Sequence, residues 1–115
     1  MTEQILLAFA EAWSSKNPDA IMTFFAGNCR YAPSICIGEK SVFEGEIEVR
    51  KAVKMLIEFD NSISSSVKNI FVNDDFGFWE WEYITQDDEK IMGCDAFKFR
   101  GNKIIEKNAF RKINL

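Results

Sequence analysis

The chain has 115 residues, 47% of them hydrophobic, with eleven Phe, no His and a net charge of −4. That is enough for one domain (1–115) with a substantial core, too little for two, and too apolar for a disordered segment. Acids and bases are interspersed without a basic stripe, which argues against nucleic-acid binding, and the missing imidazole removes the usual general base, the serine and cysteine dyads that need it, and the commonest zinc ligand.

The chain enters an amphipathic helix at once. Thr2 is placed to cap it, and Ile5, Leu6, Phe9, Ala12 and Trp13 recur at helical spacing. A basic start and a small-residue cleavage site are both missing, and no segment reaches the apolar length of a membrane span, so a soluble cytoplasmic protein is expected. Asn17-Pro18-Asp19 reads as a second helix start, with Asn as cap, Pro at the first position and an acid near the positive end. Its buried stripe is Ile21, Phe24 and Phe25, and Gly27-Asn28 ends it.

Residues 29–37 read as extended, interrupted at Pro33. Val42-Phe43 forms a short strand before Gly45, and a third helix follows with Val49, Ala52, Val53, Leu56 and Ile57 on one face. From Ser62 the period becomes two. Strands are expected near 63–73, 77–86, 90–100 and 103–113, joined by turns at 74–77, 86–89 and Gly101-Asn102. Helices gathered before a long meander indicate α+β. Cys29, Cys36 and Cys94 lack CxxC spacing and read as buried free thiols, and no metal or cofactor is implied.

One carboxylate breaks the pattern. In the strand from Ile91 to Arg100, alternation puts Asp95 on the face of Ile91, Phe97 and Phe99, with Lys98 and Arg100 opposite. An acid among aromatic rings must be paired, hydrogen-bonded or protonated. It is therefore either a structural ion-pair partner or the polar end of a pocket. On the preceding strand Trp79, Trp81 and Tyr83 share one face, with Phe78, Glu80 and Glu82 on the other; a glutamate turned inward would pair with Asp95. On the last strand Lys107, Ala109 and Arg111 share a face, with Asn108 and Phe110 opposite, and a bulge would exchange the two. An inward Lys107 or Arg111 would hold Asp95 as a salt bridge. Arg30-Tyr31 lies on the first strand, where Tyr31 offers a hydroxyl and Arg30 a cation that would neutralise an acid, or Tyr31 anchors the edge of the core by a hydrogen bond.

Several local signatures resemble the nuclear transport factor 2-like superfamily, in its SnoaL-like and ketosteroid isomerase-like branch. They are the helix ending in Trp13, Lys16-Asn17-Pro18-Asp19-Ala20-Ile21, Phe24-Phe25-Ala26, Phe43-x-Gly45, and Gly93-Cys94-Asp95-Ala96-Phe97-Lys98-Phe99 with Gly101-Asn102-Lys103-Ile104-Ile105 behind it. The resemblance spans essentially the whole chain. It implies a cone-shaped, cystatin-like fold with three N-terminal helices packed on a strongly bent antiparallel sheet, an apolar cavity in its mouth, and a homodimer formed through the outer sheet face. Placed on that fold, Phe9, Trp13, Phe25, Tyr31 and Leu56 are expected to line the pocket, together with Trp79, Trp81, Phe97, Phe99 and Phe110.

The resemblance gives Asp95 the position of the protonated Asp that helps to hold the oxyanion in ketosteroid isomerase. The matching Tyr position falls on Phe9, which has no hydroxyl, and the base position falls beside Pro33, where Ala32 and Ser34 offer no carboxylate. The Arg of the Asp-Arg-Asp arrangement in limonene epoxide hydrolase would fall on Gly93. SnoaL-type cyclases need a single pocket acid, which Asp95 would supply. The expectation is a pocket for a small apolar organic ligand with Asp95 and Tyr31 as candidate catalytic residues in isomerase- or cyclase-like acid–base chemistry. The alternatives are a non-catalytic binding module and a dimeric protein-interaction module on the same fold.

Overall fold

The computed structural model describes residues 1–115. Helix α1 spans Glu3–Ser14 and α2 spans Pro18–Met22. Strand β1 covers Phe25–Ala32 and β2 covers Phe43–Glu44, and helix α3 follows as Glu46–Asp60. Four strands complete the chain: β3 Ser62–Val72, β4 Phe76–Thr85, β5 Lys90–Arg100 and β6 Lys103–Arg111. They form one six-stranded sheet in the order β2-β1-β6-β5-β4-β3, and the helices pack on its curved inner face. No helix is long and apolar enough to cross a membrane.

The helix starts follow their capping chemistry. Thr2 Oγ1 accepts from the Ile5 amide at 3.1 Å, and Asn17 Oδ1 accepts from Asp19 at 3.0 Å, which satisfies amides that the first turns leave free. Helix α3 buries Val49, Ala52, Val53 and Leu56, while Ile57 is partly buried. Its chain then reverses through Asn61 in the left-handed conformation, at φ 48°.

The second helix is shorter than its stripe suggests. It ends at Met22, and Phe25 already pairs with Ile104 in the sheet. The Phe24 carbonyl accepts from the Ile104 amide at 2.9 Å, so sheet pairing outcompetes another helical turn. That pairing is also where the sheet departs from antiparallel, because β1 runs parallel to β6. The extended run 29–37 leaves the sheet after Ala32, where Pro33 has no amide to donate. Cys29 is buried and Cys94 half-buried, but Cys36 lies exposed in the following loop, outside any packed element.

The core joins Leu6 and Phe9 of α1 to Ile21, Phe25, Phe97, Phe99 and Ile104. Phe9 is its hub: its ring lies within 6.1 Å, centroid to centroid, of Trp13, Phe24, Phe25, Trp79 and Phe97. This cluster fixes α1 over the sheet and leaves a concavity at one end.

Candidate functional site

The concavity lies between α1 and strands β3 to β6, with a volume of about 460 Å³. Leu7, Ala10 and Trp13 contribute from the helix, Ser65 to Val67 from β3, and Trp79, Trp81 and Tyr83 from β4. The aromatic side of β4 therefore faces the cavity, as strand alternation requires once Trp79 is packed on Phe9. Glu80 bonds Asn69, and Glu82 pairs with Lys90 at 3.4 Å; neither meets Asp95.

The deep end is built on three strands. Asp95 of β5 is 3% exposed and has two hydrogen-bond donors and an ion-pair partner. The Trp79 indole N–H reaches Oδ2 at 2.7 Å, the Trp81 indole N–H reaches Oδ1 at 3.1 Å, and Lys107 Nζ stands 3.5 Å from Oδ1. An indole and an ammonium donate and cannot accept, so the set is built around a carboxylate. Lys107, on β6, is itself 5% exposed, and its ammonium sits over two ring faces, 4.4 Å from the Trp13 centroid and 4.6 Å from that of Tyr31.

Tyr31 lines the cavity from β1, opposite Lys107 in the β1–β6 register. No hydrogen bond ties its hydroxyl to the protein, yet no sealed-in polar atom lacks a partner, so that hydroxyl meets the cavity space. Burial pushes its pKa well above the ordinary tyrosine value, and the nearby Asp95 and Asp60 charges add to that effect. It is held as a neutral donor.

A second polar cluster lies beside the first. Arg111, two residues past Ala109 on the same face of β6, donates to Ser34 Oγ at 2.8 Å, to the Tyr83 hydroxyl at 3.0 Å and to Asp60 Oδ1 at 3.0 Å. Tyr83 in turn donates to Asp60 Oδ1 at 2.8 Å. Burial, then the Asp60 charge and this hydrogen bond, push the Tyr83 pKa up to about 12. For Arg111, burial works against the charge, but the hydrogen bond and attraction from Asp60 outweigh it.

Phe9, Trp13, Tyr31, Trp79, Trp81 and Asp95 come together on the cavity wall. Phe25, Leu56, Phe97 and Phe99 do not; they are packed into the core behind it, where the rings of Phe97 and Phe99 stack at 5.8 Å. Phe110 is on the opposite side of the sheet and 54% exposed, because Lys107, Ala109 and Arg111 take the inner face. Gly93 has no room for the Arg of an Asp-Arg-Asp site, since a Cβ there would strike the Phe110 carbonyl and the Trp81 ring. No group of three Cys, Asp or Glu side chains converges in an arrangement that would hold a metal ion.

Sequence reasoning missed Asp60. Its signal was an acid in the last turn of a helix, at the negative end of the macrodipole, where an acid is disfavoured unless it has a partner elsewhere.

Solved structures with the same architecture are numerous. A protein from Kribbella flavida superposes with a TM-score of 0.79 at 14% identity, covering 95% of this chain and 84% of that one. An NTF2-like protein of unknown function from Mesorhizobium loti gives 0.78 at 15% identity, covering 96% and 89%. A protein from Catenulispora acidiphila with a ketosteroid isomerase-like fold, solved in complex with trimethylamine, gives 0.75 at 17% identity, covering 96% and 86%. At these identities the likeness is one of fold. No curated protein matches the sequence. The SnoaL-like domain model matches residues 6–107, nearly the whole of the fold just described, and the chain belongs to the SnoaL-like family within the nuclear transport factor 2-like superfamily.

Proposed function

We propose that the protein binds a small, flat, mainly apolar and neutral organic molecule in this cavity, with an acceptor oxygen of the ligand against Lys107 and Tyr31. The observation that carries the reading is the deep end itself. An aromatic wall closes on a buried Lys107–Asp95 pair, 3.5 Å apart, beside a tyrosine hydroxyl with no protein partner. The pair has no net charge, so a neutral ligand enters at the least electrostatic cost, while the phenol and ammonium offer donors to a carbonyl. Asp95 positions Lys107 in this scheme.

Calorimetric titration with 2-acetonaphthone, a flat ketone, tests the reading. Tyr31→Phe is expected to weaken binding about tenfold, the worth of one hydrogen bond in a dry site. Binding of 2-ethylnaphthalene, which lacks the oxygen, as tightly as the ketone would remove the assigned donors.

Turnover is the second reading, favoured by the carboxylate and two donors meeting within one cavity. Isomerase- or cyclase-like chemistry would use Asp95 as the proton carrier with Tyr31 and Lys107 on the developing oxyanion. A ketosteroid and small-lactone panel separates the two readings: equal residual rates for wild type and Asp95→Asn leave binding alone.

The outer sheet face is assigned to a second copy of the chain. Phe71 is 71% exposed and Phe110 54%, and they share that face with Phe78, Met92 and Cys94. Apolar surface of this kind on a sheet is commonly covered. Sedimentation equilibrium should give a dimer that Phe110→Glu dissociates; a wild-type monomer at micromolar concentration would rule the assignment out.

A further inference from the structure

The deep end of the cavity has the construction of a receptor for an organic ammonium ion. Such a receptor needs aromatic faces, a carboxylate that cannot swing away, and a surround that excludes water. Trp13 and Tyr31 supply the faces, set at 86° to one another with centroids 6.1 Å apart. Asp95 supplies the carboxylate, and the two indole N–H groups at 2.7 and 3.1 Å fix both of its oxygens. The ammonium already in this receptor is Lys107, 4.4 and 4.6 Å from the ring centroids and 3.5 Å from the carboxylate. We propose that Lys107 acts as a tethered ligand of the chain's own ammonium site, and is thereby the specificity-determining residue that keeps organic cations out of the cavity.

A second cation beside the cavity has a similar setting. Arg111 lies 5.7 Å from the Trp81 centroid and 5.9 Å from that of Tyr83, with Asp60 as its counterion. Asp95 and Asp60 are thus each matched to a cation of the protein, whereas Glu11, on the α1 side of the cavity, has no ion-pair partner. A cationic ligand entering the deep end would meet the Lys107 ammonium, with the Asp95 carboxylate already paired to it. A neutral ligand meets no such penalty, so the inference deepens the neutral-ligand reading and names the residue responsible.

Replacing Lys107 by Ala removes three methylenes and an ammonium, which together are propylammonium. The test is the thermal unfolding of the full-length Lys107→Ala variant in propylammonium chloride, with sodium chloride at equal ionic strength and 1-propanol as controls. Saturating propylammonium should raise the variant's Tm by roughly 3–8 °C through linkage, while 1-propanol does not. Wild type should shift by less than about 1 °C, and Asp95→Asn combined with Lys107→Ala should lose the response, because the carboxylate is gone. If Lys107→Ala does not fold alone, recovery of folded protein on refolding in propylammonium but not in sodium chloride is the equivalent positive result, and no recovery overturns the proposal. Equal rescue by 1-propanol, or saturable binding of propylammonium to wild type, also overturns it. Titration of wild type with 2-acetonaphthone separately decides the neutral-ligand reading, so the two proposals fail independently.

Discussion

Asp95 is the residue on which the cavity turns. Its carboxylate is 3% exposed and stands among Trp79, Trp81 and Phe97, a position tolerable only because two indole N–H donors and the Lys107 ammonium converge on it. Asp95→Asn leaves the Lys107 ammonium buried without a counterion, and is expected to cost about 3–5 kcal/mol in urea unfolding. Lys107→Met should cost a comparable amount by the converse route, and the double variant less than the sum of the two, since neither orphaned charge remains. Strict additivity in that cycle would mean that the pair is not coupled. Gly93 matters for a different reason. It lies directly across from Trp81 and lets the indole lie flat against β5, where its N–H reaches Asp95. Gly93→Ala places a methyl against both the Trp81 ring and the Phe110 carbonyl, one of them backbone that cannot rotate away. A loss of about 1–3 kcal/mol and a shifted Trp81 indole resonance are expected; an unchanged resonance would contradict the role given to this glycine.

At the scale of elements, alternation located one face of the site and a bulge located the other. The placement of Asp95, Trp79, Trp81 and Tyr83 on one surface was legible from period two, because β4 and β5 pair without a register break. On β6 it was not. Ile104 lies opposite Phe99, but Glu106 lies opposite Lys98, so Ile105 is an additional residue that turns Lys107, Ala109 and Arg111 inward. No local signal in the sequence marks that bulge. It decides both that Lys107 meets Asp95 and that Phe110, expected in the pocket, faces outward. The end of α2 was illegible for a related reason: a partner strand some eighty residues away claims the Phe24 carbonyl. The cluster that ties α3 to β4 and β6 through Asp60, Tyr83 and Arg111 has a consequence for alkaline stability. Native Tyr83 keeps its proton up to about 12, whereas an unfolded tyrosine loses it near 10. Its contribution is therefore complete below pH 10 and is lost as pH rises through 12, and Tyr31, also raised, acts in the same direction. Urea midpoints should decline gently above about pH 8.5, where the Cys29 and Cys94 thiols, raised by burial in the native state, ionise in the unfolded chain, and fall more steeply above pH 10; Tyr83→Phe should flatten the steeper part, and a midpoint that rises there would reverse the assignment.

For the whole molecule, the architecture was the most legible level. The order of helices and strands follows from caps, periods and turns, and the SnoaL-like signatures lie where the fold requires them. The three tryptophans of the chain, Trp13, Trp79 and Trp81, all stand on the cavity wall. Every indole N–H in the protein is therefore a reporter of this one space, and two of them are bonded to Asp95. The most direct test of the central claim is the indole region of a ¹H–¹⁵N correlation spectrum recorded while 2-acetonaphthone is added to wild-type protein. The expected result is saturable movement of all three indole resonances at a common affinity, weakened about tenfold in Tyr31→Phe. Three stationary indole resonances, while backbone amides of the outer sheet face respond, would contradict the assignment of this cavity as the binding site.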